Sequence, residues 1–354
     1  MRRNIKFLAV TFIAYALLHA QAYANEIRGV AISGSKIAIS AGVAGPFVTV
    51  ADDGTEKELP VWSKDGTRIA YIEKNGDAEK LSKLVVIDPQ GQVMSSAKIK
   101  PVAPGEIRSG MRYVESVEWI SNSKIVVAGG VNPTTTEYNI VDMSSGKTVN
   151  EFFDDGSGAS FSPNGQHFAY VTGAPHFTPA SYRLPTFKVD GKSVSIATQS
   201  LLEFMDVPIW SSDSSFVAVL VKYATNQSYG IAIAQSSATT ATLAKLPFAD
   251  SAPASVYWAG RHLYVSRKVP DPHPTKNVMG QRQFLTQTYK LQEDASEPWS
   301  LLKSEKIPED SVIKAKELRS KMKASANIPR GSQYDFWCKT CELSVLPRRA
   351  TGIK

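Results

Sequence analysis

Little in the chain is equipped for chemistry. Its 354 residues include only two cysteines and five histidines. No Gly-x-Ser-x-Gly pentapeptide occurs, which argues against a serine hydrolase. Neither a Walker loop nor a strand-linked Gly-x-Gly-x-x-Gly is present to cradle nucleotide phosphates, and no cofactor is indicated. The histidines beyond the leader, His167, His176, His262 and His273, form no paired helical or short-loop spacing of the kind that holds zinc. Asp52-Asp53-Gly54 and Asp154-Asp155-Gly156 look like calcium ligands, but neither extends into an alternating acidic loop, so both read as turns and no metal is expected. Long apolar runs are also scarce, and the one present lies at the N-terminus.

There, Arg2, Arg3 and Lys6 precede an apolar stretch from Phe7 to Leu18 and then Ala22-Tyr23-Ala24. Basic start, short apolar run and small-x-small site make a cleavable secretory signal over residues 1–24, cut after Ala24. The run falls short of the roughly 20 residues of a spanning helix. The mature protein is therefore expected in the periplasm or outside the cell. The leader carries three basic residues and no acid, so its loss takes the formal charge from +7 to +4. Residues 301–354 hold twelve Lys and Arg against six Asp and Glu, which leaves residues 25–300 slightly acidic. An exported chain with an acidic body is a poor nucleic-acid binder, whereas its basic tail suits anionic lipid, cell-wall polymer or an acidic protein.

About 330 residues exceed a typical single domain, so repeats are the next question. One pattern recurs: an aromatic anchor, Ser, a short Asp/Asn/Gly turn, then an apolar run. The clearest copies are Trp62-Ser63-Lys64-Asp65-Gly66, Phe161-Ser162-Pro163-Asn164-Gly165 and Trp210-Ser211-Ser212-Asp213. Weaker copies stand at Trp119 and Trp258, and a degenerate first copy at Ala31 to Ala38. With Ile32, Trp62, Trp119, Phe161, Trp210 and Trp258 as anchors the spacings are 30, 57, 42, 49 and 48. Their mean, near 45, is the length of a four-stranded propeller blade. Later strand signals at Leu84–Ile87, Tyr138–Val141 and Thr186–Val189 fall where further strands of each blade belong. One anchor per blade reads as packing between sheets rather than as a ligand site.

On these motifs the sequence resembles the TolB-type, WD40-like β-propeller repeat family, whose signature is close to Trp-Ser-Pro-Asp-Gly followed by an apolar strand. The resemblance spans residues 27–300 and implies an all-β propeller over residues 25–300, with six or seven four-stranded antiparallel blades. Six is the number of motif copies, closing either as six blades or with one sheet completed by the terminus. The family's N-terminal α/β domain has no counterpart here. Such blades occur in scaffolds and beside peptidases, so the motif speaks for fold and not for function.

Residues 301–354 form a basic extension. Val312, Ile313, Ala315, Leu318 and Met322 predict a helix over Glu309–Ala326. Cys338-Lys339-Thr340-Cys341 follows, and in an oxidising compartment the two thiols should pair as a disulfide; a redox-active dithiol and a shared zinc site are the alternatives.

Three stretches exceed hairpin length: Ile99–Tyr113, Gly173–Leu184 and Val269–Gln283. Loops on a rigid scaffold carry recognition, and these are rich in proline, basic and aromatic residues. Arg108, Arg112, His176, Phe177, Arg183, His273, Lys276 and Arg282 are the candidate partner-binding residues, expected to hold an envelope protein or peptide segment at one mouth of the channel. No catalytic residue stands out. The reading is a non-enzymatic scaffold; the rival is a propeller hydrolase or lyase whose residues converge at the channel mouth.

Overall fold

In the computed structural model, the described residues are 28–41, 45–74, 82–99, 111, 113–132, 135–154, 158–172, 186–196, 198, 202–224, 226–246, 253–270, 284–292, 300–302 and 333–337. Every regular element among them is a strand. In chain order these are β1 (Arg28–Ser33), β2 (Lys36–Ala41) and β3 (Phe47–Asp52); β4 (Lys57–Trp62), β5 (Ile69–Glu73), β6 (Lys83–Ile87) and β7 (Val93–Lys98); β8 (Tyr113–Trp119), β9 (Lys124–Asn132), β10 (Thr135–Asp142) and β11 (Lys147–Asp154). Next come β12 (Ala159–Phe161), β13 (Phe168–Thr172), β14 (Thr186–Val189), β15 (Lys192–Ser193), β16 (Ser195–Ile196), β17 (Leu202–Phe204), β18 (Ile209–Trp210), β19 (Phe216–Tyr223), β20 (Tyr229–Gln235) and β21 (Thr240–Lys245). The last are β22 (Ser255–Ala259), β23 (His262–Pro270), β24 (Phe284–Gln292), β25 (Ser300–Leu302) and β26 (Gln333–Trp337).

They form six sheets, five of four strands and one of six. Four of the four-stranded sheets use consecutive strands: β4 to β7, β8 to β11, β12 to β15 and β22 to β25. The remaining four-stranded sheet runs β26-β1-β2-β3, so the chain's last described strand completes its first sheet. In the six-stranded sheet β19, β20 and β21 are central, β17 and β18 pair with successive parts of β19, and β16 adds in parallel to β21. First strands of neighbouring sheets pack together: β26 against β4, β4 against β8, β12 against β18 and β18 against β22. This is the blade arrangement of a β-propeller, with the first strand of each sheet innermost.

The repeated motif builds the turn between a blade's first two strands, and it does so identically three times. The buried hydroxyls of Ser63, Ser162 and Ser211 lie 2.7 Å from Asp65 Oδ1, Asn164 Oδ1 and Asp213 Oδ1. The same hydroxyls accept the backbone N–H groups of Arg68, His167 and Phe216, each at 2.9 Å. Ser, two residues on Asp or Asn, and a tight turn are therefore one hydrogen-bonded unit. Gly66 and Gly165 take φ +67°, which explains Asp-Gly and Asn-Gly in two copies. At Gly165 a Cβ would lie 2.2 Å from the Ile120 carbonyl oxygen of the neighbouring blade, so that turn must also be glycine for close approach.

The anchors fill the gaps between blades. Trp62 lies in a cluster with Val30, Ile32, Ile37, Ile69 and Tyr71, Trp119 with Ala70, Ile72, Leu84 and Val127, and Trp258 with Phe216, Ile233 and Leu263. Each cluster draws on two neighbouring sheets, as expected for packing residues. The strands anticipated at Leu84–Ile87, Tyr138–Val141 and Thr186–Val189 fall within β6, β10 and β14.

The copy at Ala31–Ala38 requires correction. It is the hairpin joining β1 to β2, the second and third strands of the first sheet. Gly34 at φ +61° between two apolar runs is a general hairpin signal and does not single out the inner turn. Strand register places the true counterpart at the other end of the chain. Trp62 pairs with Ile69 just after Arg68, and Phe161 with Phe168 just after His167; likewise Phe336 pairs with Gly29 just after Arg28. The odd spacing of 30 residues at the start of the repeat disappears with this assignment. The signal peptide, the helix expected over Glu309–Ala326, and Cys338 and Cys341 lie outside the described residues.

Candidate functional site

Alternating strand direction gives the propeller two unlike ends. The turn after each inner strand lies at one end, together with the turns between third and fourth strands. At the other end lie the turns between second and third strands and the connections from one blade to the next.

The first end is stitched shut between blades. The indole N–H groups of Trp119, Trp210 and Trp258 donate to the carbonyls of Val61, Ser160 and Ile209 on the preceding blade, at 3.3, 3.3 and 3.1 Å. Basic side chains cross in the opposite sense. Arg28 reaches the Gly66 carbonyl and lies over the Trp62 ring, and Arg68 reaches the Asn122 carbonyl with its guanidinium 5.0 Å from the centre of the Trp119 ring. His167 stacks on Trp210, with its Nδ1 held 2.7 Å from Asp190 Oδ2. Lys64 spans two blades at once, donating to the carbonyls of Ile120 at 2.8 Å and Pro163 at 3.2 Å. Burial pulls the Lys64 ammonium below the ordinary lysine range, against the opposing pull of Glu118. At Asp65 burial pushes the carboxyl up, but hydrogen bonds from Ser63 and Thr67 and the charge of Arg68 outweigh it and hold it low. Asp213 is held low in the same way by Ser211, Ser215 and Arg261. These groups are occupied in holding turns together.

The opposite end is differently furnished. The connection into β4 carries Asp53, whose carboxylate accepts from the Thr55 N–H and from the buried Lys57 ammonium, which also lies over the Tyr71 ring. Asp52-Asp53-Gly54 is thus a turn bound to its own chain, with Gly54 at φ +80°. Asp154 likewise accepts the Gly158 N–H, while Asp155 and Gly156 lie outside the described residues. Among the described residues no group of three or more His, Cys, Asp or Glu side chains is arranged to hold a metal ion.

On β10, Glu137 is 3% exposed, bonded through Oε1 to the Asn139 amide at 2.6 Å, and its Oε2 has no partner among the described residues. Burial pushes its carboxyl above the ordinary range; the Asn139 bond acts against this and the nearby Glu151 charge adds to it. Folding therefore favours protonated Glu137, and the associated stability is present below the ordinary glutamate range and lost as pH rises through the raised value. Glu137→Gln should accordingly raise the melting temperature at pH 7, with the gain shrinking toward pH 4; thermal melts of both chains across that range check it. Sequence reading passed over Glu137, whose only signal is an acid in the otherwise inward-facing series Glu137, Asn139, Val141 of one strand.

The eight candidate partner-binding residues, Arg108, Arg112, His176, Phe177, Arg183, His273, Lys276 and Arg282, lie outside the described residues. The strand ends from which their segments depart are described. The first segment leaves β7 and enters β8, the second leaves β13 and enters β14, and the third leaves β23 and enters β24. All six strand ends belong to the end opposite the stitched turns.

No helix among the described residues is long and apolar enough to cross a membrane. No protein-family model and no curated protein matches the chain. Solved structures to which it is similar include the β-propeller domain of the trilobed protease from Pyrococcus furiosus, at 16% identity and a TM-score of 0.40, over 80% of this chain and 93% of that one. The acylaminoacyl peptidase of Pyrococcus horikoshii is similar at 13% and 0.38, over 79% of this chain and 49% of that one. TolB from Acinetobacter baumannii is similar at 12% and 0.31, over 79% and 64%. The chain is an all-β protein of propeller blades.

Proposed function

We propose that this protein is an exported, non-enzymatic propeller scaffold that holds a protein or peptide segment of the cell envelope at the end bearing the long segments. The observation carrying this reading is that the strand ends flanking 99–113, 173–184 and 269–283 share one end, while the other end carries the cross-blade bonds of Arg28, Lys64, Arg68, Trp119, Trp210 and Trp258. Loops rooted together on a rigid scaffold can converge on one ligand, and their surplus of Arg, Lys and His over acids suits an acidic or carboxylate-bearing partner. Export through the N-terminal signal would place the scaffold in the periplasm or outside the cell.

Crosslinking in the intact envelope, followed by mass spectrometry of the captured material, tests the reading. Replacing Arg108, Arg112, Arg183 and Arg282 together by serine should cut recovery of the main captured protein about tenfold or more, since each lost charged contact is worth roughly 1 kcal/mol or more. The melting temperature should stay near that of the unaltered chain. Unchanged capture by the fourfold variant would defeat the proposal.

A further inference from the structure

Five residues of β26 pair with β1, from Arg28↔Trp337 to Ile32↔Gln333. In the four sheets built from consecutive strands, a local turn ties the inner strand to its neighbour. Here no such turn exists, because β26 and β1 come from opposite ends of the chain, and 30 residues separate Leu302 from Gln333. A second observation concerns the seat itself. Trp119, Trp210 and Trp258 donate their indole N–H to the residue preceding the previous blade's anchor. By register the equivalent acceptor for Trp62 is the carbonyl of Asp335 on β26. Trp62 Nε1 is instead buried with no hydrogen-bond partner among the described residues. The strand that lacks a local turn thus also lacks the inter-blade bond made at three other blade junctions.

We propose that the edge of β1 beside Trp62 is a strand-acceptor site that takes the Gln333–Trp337 strand of a second copy of this chain, in reciprocal exchange. The exchanged dimer would repeat every β26–β1 pairing found within one chain, so the exchange costs little beyond association. A stretch of 30 residues, eighteen of them in the helix expected over Glu309–Ala326 and twelve extended, can span about 70 Å, enough to reach a neighbouring copy. The inference stands apart from the loop-bearing end, and its test reads strand pairing, not partner capture.

The test uses full-length chains carrying Cys338→Ser and Cys341→Ser. One population bears Val30→Cys and the other Asp335→Cys, residues that face each other in the β1–β26 register. A second set uses Ala31→Cys with Tyr334→Cys, the adjacent pair. Mixed and gently oxidised, either set should yield a covalent heterodimer that increases with protein concentration. A chain bearing both members of a pair, oxidised while dilute, should lock internally and then fail to dimerise. If the doubly substituted chains lock and the mixtures give only monomer, the strand does not exchange and the proposal falls. It falls equally if neither doubly substituted chain locks, because β26 would then not occupy the β1 edge.

Discussion

Trp119→Ala should destabilise the protein by about 3–5 kcal/mol, the range for truncating a large buried aromatic. Three roles converge on this side chain. It is 2% exposed between two blades, its indole N–H donates to the Val61 carbonyl, and its face receives Arg68. The first role dominates, since a net hydrogen bond contributes about 1 kcal/mol and a partly exposed cation–π contact about 0.5–1 kcal/mol. Trp119→Phe should therefore recover more than half of the loss, and Arg68→Ala alone should cost under about 2 kcal/mol. Chemical denaturation of the three variants orders these effects. An alanine variant as stable as the parent would mean that the blades are not held by their anchors.

Proline in β26 should have a comparably large effect at only one of two adjacent positions. As an inner strand, β26 is hydrogen-bonded to β1 on one side alone. Alternate N–H groups therefore point to β1 and away from it. Of Asp335→Pro and Phe336→Pro, one removes a ladder donor and the other does not. The more damaging should cost roughly 3 kcal/mol or more, because a paired strand tolerates proline only where no ladder donor is needed. The other should cost clearly less. Thermal melts read the contrast, and the first blade should be where loss of amide protection in hydrogen exchange concentrates. Equal tolerance of both would show that the closing strand contributes nothing to stability.

The propeller was legible in the sequence because its defining unit is local. A serine, an acceptor two residues on and a residue in the left-handed region, Gly66, Gly165 or Ser214, form a hydrogen-bonded turn within six residues, so Ser63, Ser162 and Ser211 announce their turns without reference to anything distant. Anchors at Trp62, Trp119, Trp210 and Trp258 are read as core for a related reason: one per repeat, each just before a tight turn. The motif weakened where the physics was no longer local. At Arg28 the hairpin logic of Gly34 imitated an inner turn, and the real partner, Phe336, lay some 300 residues away with no local signal to mark it. The candidate site was legible only as long segments rich in basic residues. That their flanking strands end together follows from strand direction in the assembled sheets.

Sequence alone thus determined the all-β class, the blade length and the chemistry of the inner turns, since each depends on residues a few positions apart. Tertiary structure decided which strand completes the first sheet, that Trp62 lacks the bond its counterparts make, that Glu137 is buried with an unpaired oxygen, and which end of the propeller is stitched shut. The strand that completes the first sheet and the bonds that stitch one end depend on pairing between segments distant in the chain. Those cross-blade hydrogen bonds join residues 38 to 99 positions apart, whose pairing no local pattern records.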